Sequence, residues 1–255
     1  MAKILPHNAQ IRSDVSSYLC EVSEVVSECS RKLQEAGEYR NIHKTSLATD
    51  SVLSKLSFRE TPRLAGARGL VQRVPFLIAT GQPSGARSEL RRFVEIVLWS
   101  IYFSDHPVEW KAFQENPEQG FGKDISQPIA FCAFRERAFF SNYAAELFKN
   151  EPSGIALEAA RELSRTCNEL NAEVHPQKIA TARGLRPAWD KLTDAELAAT
   201  AKVHRSVCSA CCVMLAAYLK QRFDRLPPVH RAWFDWLIGS RRAKRMRSGR
   251  FGLDA

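Results

Sequence analysis

Residues 90–103 read LRRFVEIVLWSIYF. Leu90, Phe93, Val94, Ile96, Val97, Leu98, Trp99, Ile101, Tyr102 and Phe103 populate every side of a helical wheel. A helix apolar all round belongs inside a bundle, so the spacing predicts a buried central helix over 86–103, opened by the turn GQPSG at 81–85. Working outward, Val15, Tyr18, Leu19, Val22, Val25, Val26 and Leu33 recur at steps of three and four, an amphipathic helix over 11–37 with Gly37 as its stop. A polar stretch, 38–50, reads as a connection. Shorter helices follow near 51–58 and 65–80, the second bent at Pro75.

Beyond the central helix, DHPVEW (105–110) carries Pro107 where a first helical turn tolerates it, and 115–127 reads as a loop. Long amphipathic helices are expected over 128–148 and 153–174. In LTDAEL, Thr193 and Glu196 form a capping box. The helix it opens can run to 223, where RLPPVH forces a break. A short aromatic helix with Trp233, Phe234, Trp236 and Leu237 comes next. Strand signals are nearly absent. The expected fold is all-α: a single helical bundle over 1–240, then a basic, flexible tail over 241–255.

The 255 residues are 45% hydrophobic and 25% charged, ordinary for a globular chain. No apolar run approaches the ~20 residues that span a bilayer, so no membrane association is expected. MAKILPHNAQIRSD has no apolar signal core, and seven irregularly spaced cysteines suit free thiols in a reducing cytoplasm. The net charge of +9 is segmental. Lys55, Arg59, Arg63, Arg68, Arg73, Arg87, Arg91 and Arg92 face only Glu60 and Glu89 within 55–92. The tail RRAKRMRSGR adds Arg241, Arg242, Lys244, Arg245, Arg247 and Arg250 without an acid. Such segments suit a polyanion; the other reading is a solvated arm and internal ion pairs.

Phosphate-loop, dinucleotide and GxSxG motifs are missing, which argues against those enzyme classes. His204, Cys208 and Cys211 share a helical face, but no second ligand pair accompanies them, and core packing is the better reading. No metal or cofactor is expected. Arg91, Arg92 and Glu95 interrupt the central apolar helix, either as an internal ion pair with Arg91 or Arg92 or as a cleft arginine for an anion. In LNAEVHPQK (170–178), Asn171 and His175 lie four apart, and Pro176 places His175 at a helix end. There the imidazole serves either as a cap or as a general acid–base.

GARSELRRFVEIVLWSIYFSDHPVEW (85–110) followed by ELNAEVHPQ (169–177) resembles a group of bacterial all-α proteins sharing LRxxxE and L-S/N-x-x-x-H-P motifs. That group is similar to the HEPN superfamily (higher eukaryotes and prokaryotes nucleotide-binding domains). The resemblance covers 65–220. It implies a helical bundle, dimerisation, and links to RNA cleavage, toxin–antitoxin pairs and phage defence. Catalytic members place an arginine before the histidine with four to six residues between them. Here Asn168, Glu169 and Leu170 hold those places before His175, and the spacing of Arg225 and His230 is broken by two prolines.

The expectation is thus an RNA-binding protein of bacterial stress or defence. Its catalytic set, for metal-independent RNA cleavage, would be His175, Asn171, Arg91, Arg92 and Glu95, with the 241–250 cations contacting nucleic acid. The central helix should then lie against the 153–174 helix. The alternative is a non-catalytic interaction module whose partner carries the activity, with Trp233 and Trp236 as anchors.

Overall fold

The computed structural model describes residues 36–56, 62–108, 110–111, 143–174 and 193–248, with scattered positions between 20 and 31. The fold is all-α, in the order α1 (Gly37–Leu56), α2 (Pro62–Ala79), α3 (Pro83–Asp105), α4 (Ile155–Val174), α5 (Asp194–Tyr218), α6 (Lys220–Phe223), α7 (Pro228–Ile238) and α8 (Ser240–Ser248). No strand occurs among the described residues. The expected loop at 115–127, most of the 11–37 helix and the first part of the 128–148 helix lie outside them.

The polar stretch 38–50 is helical, and Gly37 opens α1 where a stop was expected. Its buried polar residues are satisfied within the fold, Thr49 Oγ1 by the Thr45 carbonyl at 2.8 Å and Ser46 by distant partners. Thr45, Ser46 and Thr49 are all within 3% of full burial. Pro75 sits inside α2 and has no N–H to give the Val71 carbonyl one turn earlier. Ser46 Oγ donates to that carbonyl at 3.0 Å. With its proton so committed, the hydroxyl accepts from His204 Nε2, 3.3 Å away. The helix therefore continues through Pro75 with its freed carbonyl satisfied from outside.

The centre of the bundle is α5, not the 86–103 helix. Every residue from Val207 to Ala216 is buried, and α5 packs on α1, α3, α4 and α7. Small side chains in VCSACCVMLA let neighbours approach from every side, whereas α3 keeps Glu95, Ile96 and Trp99 partly exposed. Cys208, Cys211 and Cys212 are fully buried core residues. Burial pushes the Cys208 thiol up to about 12, so it stays protonated and unreactive.

The capping box forms as expected: Thr193 Oγ1 accepts from the Glu196 N–H at 3.2 Å, and Glu196 Oε2 accepts from the Thr193 N–H at 3.1 Å. Pro228 occupies the first turn of α7. Gly239 adopts φ 84° between α7 and α8, a backbone that glycine alone adopts without strain.

Side-chain pairs fix the helix directions. Ser46–His204 and Thr49–Cys208 advance together, so α1 and α5 run parallel. Glu162–Ser206 and Cys167–Cys211 do the same for α4 and α5. Asp105 meets Tyr218 at the far end, so α3 points its C-terminus the same way. By contrast α7 runs against α1, through Lys44–Trp236 and Ser51–His230.

Candidate functional site

The C-terminal basic segment, expected to be flexible, is ordered through Ser248 as α8. Two contacts explain the difference. Ala243 and Met246, three residues apart, are buried in the core. On the adjoining face Arg242 Nη2 reaches Glu162 Oε2 at 2.7 Å. Arg245 grips Glu158 through Nη2 and Nη1, at 2.8 and 3.0 Å, and Nη2 also donates to the Ser153 carbonyl at 2.9 Å. The hydrogen bond from Arg245 holds the Glu158 carboxyl below its usual range. Arg247 pairs with Asp235 at 2.6 Å.

The helix needs only three of its cations for this clasp. Arg241 and Lys244 are exposed on α8 and make no ion pair among the described residues, though Arg241 lies near enough to Glu158 to help hold its carboxyl down. On α4, Arg165 shares the face of Glu158 and Glu162, and Arg161 flanks it; both are exposed and likewise without an acid among the described residues. Arg161 and Arg165 on α4, and Arg241 and Lys244 on α8, are thus exposed cations on two helices joined by the clasp. Arg250 lies outside the described residues.

The 55–92 arginines behave differently. Arg68 holds Asp50 through two hydrogen bonds, at 2.6 and 3.3 Å. Glu89 lies between Arg73 at 3.4 Å and Arg92 at 3.5 Å. Arg91 pairs with Glu95 at 3.0 Å. Internal ion pairs absorb much of this segment's charge.

The expected catalytic set is only partly within view. The central helix does pack on α4. Arg91 hydrogen-bonds toward Cys167 there, with its side chain 11% exposed. Arg92 turns away, 66% exposed, and pairs with Glu89 instead of Glu95. Val174, the last residue of α4, lies seven positions beyond Cys167, about 10 Å of helical rise. His175 lies outside the described residues, as does the side chain of Asn171.

The shared C-terminal end of α3 and α5 holds a cluster that the sequence reading missed. Asp105 accepts from Tyr218 at 2.7 Å and from Tyr143 at 3.1 Å. Burial, then the neighbouring Asp105, pushes the Tyr143 phenol up; Tyr218 shifts the same way. Both phenols thus act as donors. His106 stacks on Tyr102, with ring centres 4.0 Å apart. Its Nδ1 lies 2.8 Å from the Tyr102 carbonyl, which can only accept, so Nδ1 donates this hydrogen bond. A carboxylate beside parallel helix C-termini favours cations and disfavours phosphate. Asp105 and His106 were legible only as a helix end; Tyr143 and Tyr218 gave no local signal.

Trp233 and Trp236 are half-buried on α7 and meet edge to face, with centres 6.1 Å apart. No protein-family model, curated protein or solved structure matches this chain. The HEPN-like resemblance therefore rests on its two short motifs.

Among the described residues no group of three or more His, Cys, Asp and Glu side chains is disposed to hold a metal ion, and no helix is long and apolar enough to cross a membrane.

Proposed function

We propose that this chain binds nucleic acid on the surface of α8 and α4. The observation that carries the reading is the disposition of α8. It commits Arg242, Arg245 and Arg247 to intramolecular carboxylates and leaves Arg241 and Lys244 exposed on the same helix, with Arg161 and Arg165 exposed on the α4 that it clasps. Cations on a pre-ordered helix lose little conformational entropy on binding a phosphate backbone. Phosphate contacts of this kind carry affinity without sequence preference. The HEPN-like motifs favour RNA and a role in bacterial stress or phage defence, with a homodimer and metal-independent cleavage as further parts of the same proposal.

Affinity for a single-stranded RNA, measured across a salt series, tests it. Arg241→Gln with Lys244→Gln should weaken binding and flatten the salt dependence by about 0.7 in log–log slope for each phosphate left without its cation. Unchanged affinity and slope would remove this surface from the reading. Point substitutions are preferable to deleting the tail, because deletion uncovers the core around Ala243 and Met246.

A further inference from the structure

Four large apolar side chains are exposed among the described residues: Leu47, Phe76, Val108 and Val229. Two of them share one seam. The antiparallel register of α1 and α7 sets Leu47, 48% exposed, level with Trp233. Val229, 59% exposed, lies one turn before Trp233 on α7, and Trp236 follows one turn after. Val229, Trp233 and Trp236 occupy positions i, i+4 and i+7 of one helical face, with Leu47 across the seam. The apolar strip is about 10 Å long.

The rim of this strip is cationic. Lys44 Nζ lies 4.4 Å from the centre of the Trp236 ring and the Arg205 guanidinium 4.7 Å from it. Arg205 also donates to the Trp236 carbonyl at 3.0 Å. Lys55 is exposed further along α1. Lys44, Lys55 and Arg205 have no acid in ion-pair range among the described residues. The nearest α7 acid, Asp235, is taken by Arg247. Half-buried tryptophans flanked by cations without a carboxylate partner form an anchor with a rim of one sign.

From this geometry we infer a second binding surface, distinct in its residues from the nucleic-acid face: the α1–α7 seam docks an acidic amphipathic helix from a partner protein. The partner's apolar stripe would lie along Val229, Trp233 and Leu47, and its carboxylates would meet Lys44, Lys55 and Arg205. A helix-in-groove contact reads anchors at this spacing. The charge of the rim selects an acidic partner and rejects a basic one.

Two labelled helical peptides of identical apolar stripe, one with glutamates and one with lysines on the polar face, test it by anisotropy on the full chain. The acidic peptide should bind, weaken at high salt, and lose tenfold or more against Leu47→Glu and against Val229→Glu. Lys44→Glu with Arg205→Glu should shift preference toward the lysine peptide. Equal binding of both peptides, or an acidic peptide indifferent to Leu47→Glu, overturns the inference. So does sedimentation of the unliganded chain as a dimer that Leu47→Glu dissolves, since the seam then joins two copies. A fall of several degrees in Tm for Leu47→Glu alone would show that Leu47 is packed by the chain itself and not free to dock a partner, and overturns it too.

Discussion

Ser46 Oγ lies 3.0 Å from the Val71 carbonyl, the one that Pro75 leaves without its helical donor. A proline inside a helix is tolerated when the freed carbonyl finds another partner, and here α1 supplies it. Ser46→Ala should leave both Val71 O and His204 Nε2 unpaired in the core, at about 1–3 kcal/mol. Pro75→Ala restores a donor to Val71, so the two substitutions should be coupled: Ser46→Ala costs less in the Pro75→Ala background. Urea unfolding of the four variants measures this. Strict additivity would show that the Ser46 contact is incidental.

His204 gives the bundle an acid sensitivity. Its ring is fully buried, and burial holds its pKa down at about 3 against an ordinary 6.5. Nδ1, left unprotonated by the Ser46 contact, has no partner among the described residues. Because the folded value is the lower one, the unfolded chain takes up the proton first, and stability falls as pH drops from 6.5 toward 3. Across that window the unfolded chain holds one more proton at this group than the folded one, which sets the direction of the loss. His204→Met should flatten the stability profile there and leave its slope above neutrality unchanged. Matched profiles for the two proteins would refute the assignment.

The docking of α8 should rest on its apolar face more than on its charges. Arg245 and Glu158 are 42% and 45% exposed, where solvent screens an ion pair strongly. Met246 is 7% exposed, and Met246→Ala removes core packing at about 2–4 kcal/mol. Arg245→Ala should be nearly silent in thermal unfolding by comparison, and salt should leave α8 in place. Hydrogen exchange along 240–248 reads the docking directly. Undocking by salt alone would reverse the ranking.

Features set by local chemistry were legible in the sequence: the Thr193–Glu196 box, the break at Pro227 and Pro228, and the all-helical class. What failed depended on distant partners. The stretch 38–50 looked like a connection because it is polar, and its buried Ser46 answers to Val71 and to His204, the latter 158 positions away. The tail looked flexible because Glu158 and Glu162, one turn apart on α4, lie far from it in the chain. The 86–103 helix looked central because hydropathy counts large side chains, while α5 takes that place through small ones. The seam of Leu47 and Val229 joins helices whose register no local pattern gives.

Arg91 separates a structural role from a binding one. Its guanidinium is 3.0 Å from Glu95, on the side of α3 that faces Cys167 of α4, and only 11% of its side chain is exposed. A phosphate would have to displace Glu95 to reach it. Removing one member of so enclosed a pair leaves the other charge short of compensation, so Arg91→Ala should destabilise the bundle by about 1–3 kcal/mol. RNA affinity per folded molecule, and its salt slope, should stay at the wild-type values, in contrast with Arg241→Gln and Lys244→Gln. Glu95→Gln should lower stability in the same direction without raising affinity. If either change at this pair instead altered the salt slope while stability held, Arg91 would belong to the nucleic-acid surface, and the site would extend from α8 across α4 to α3.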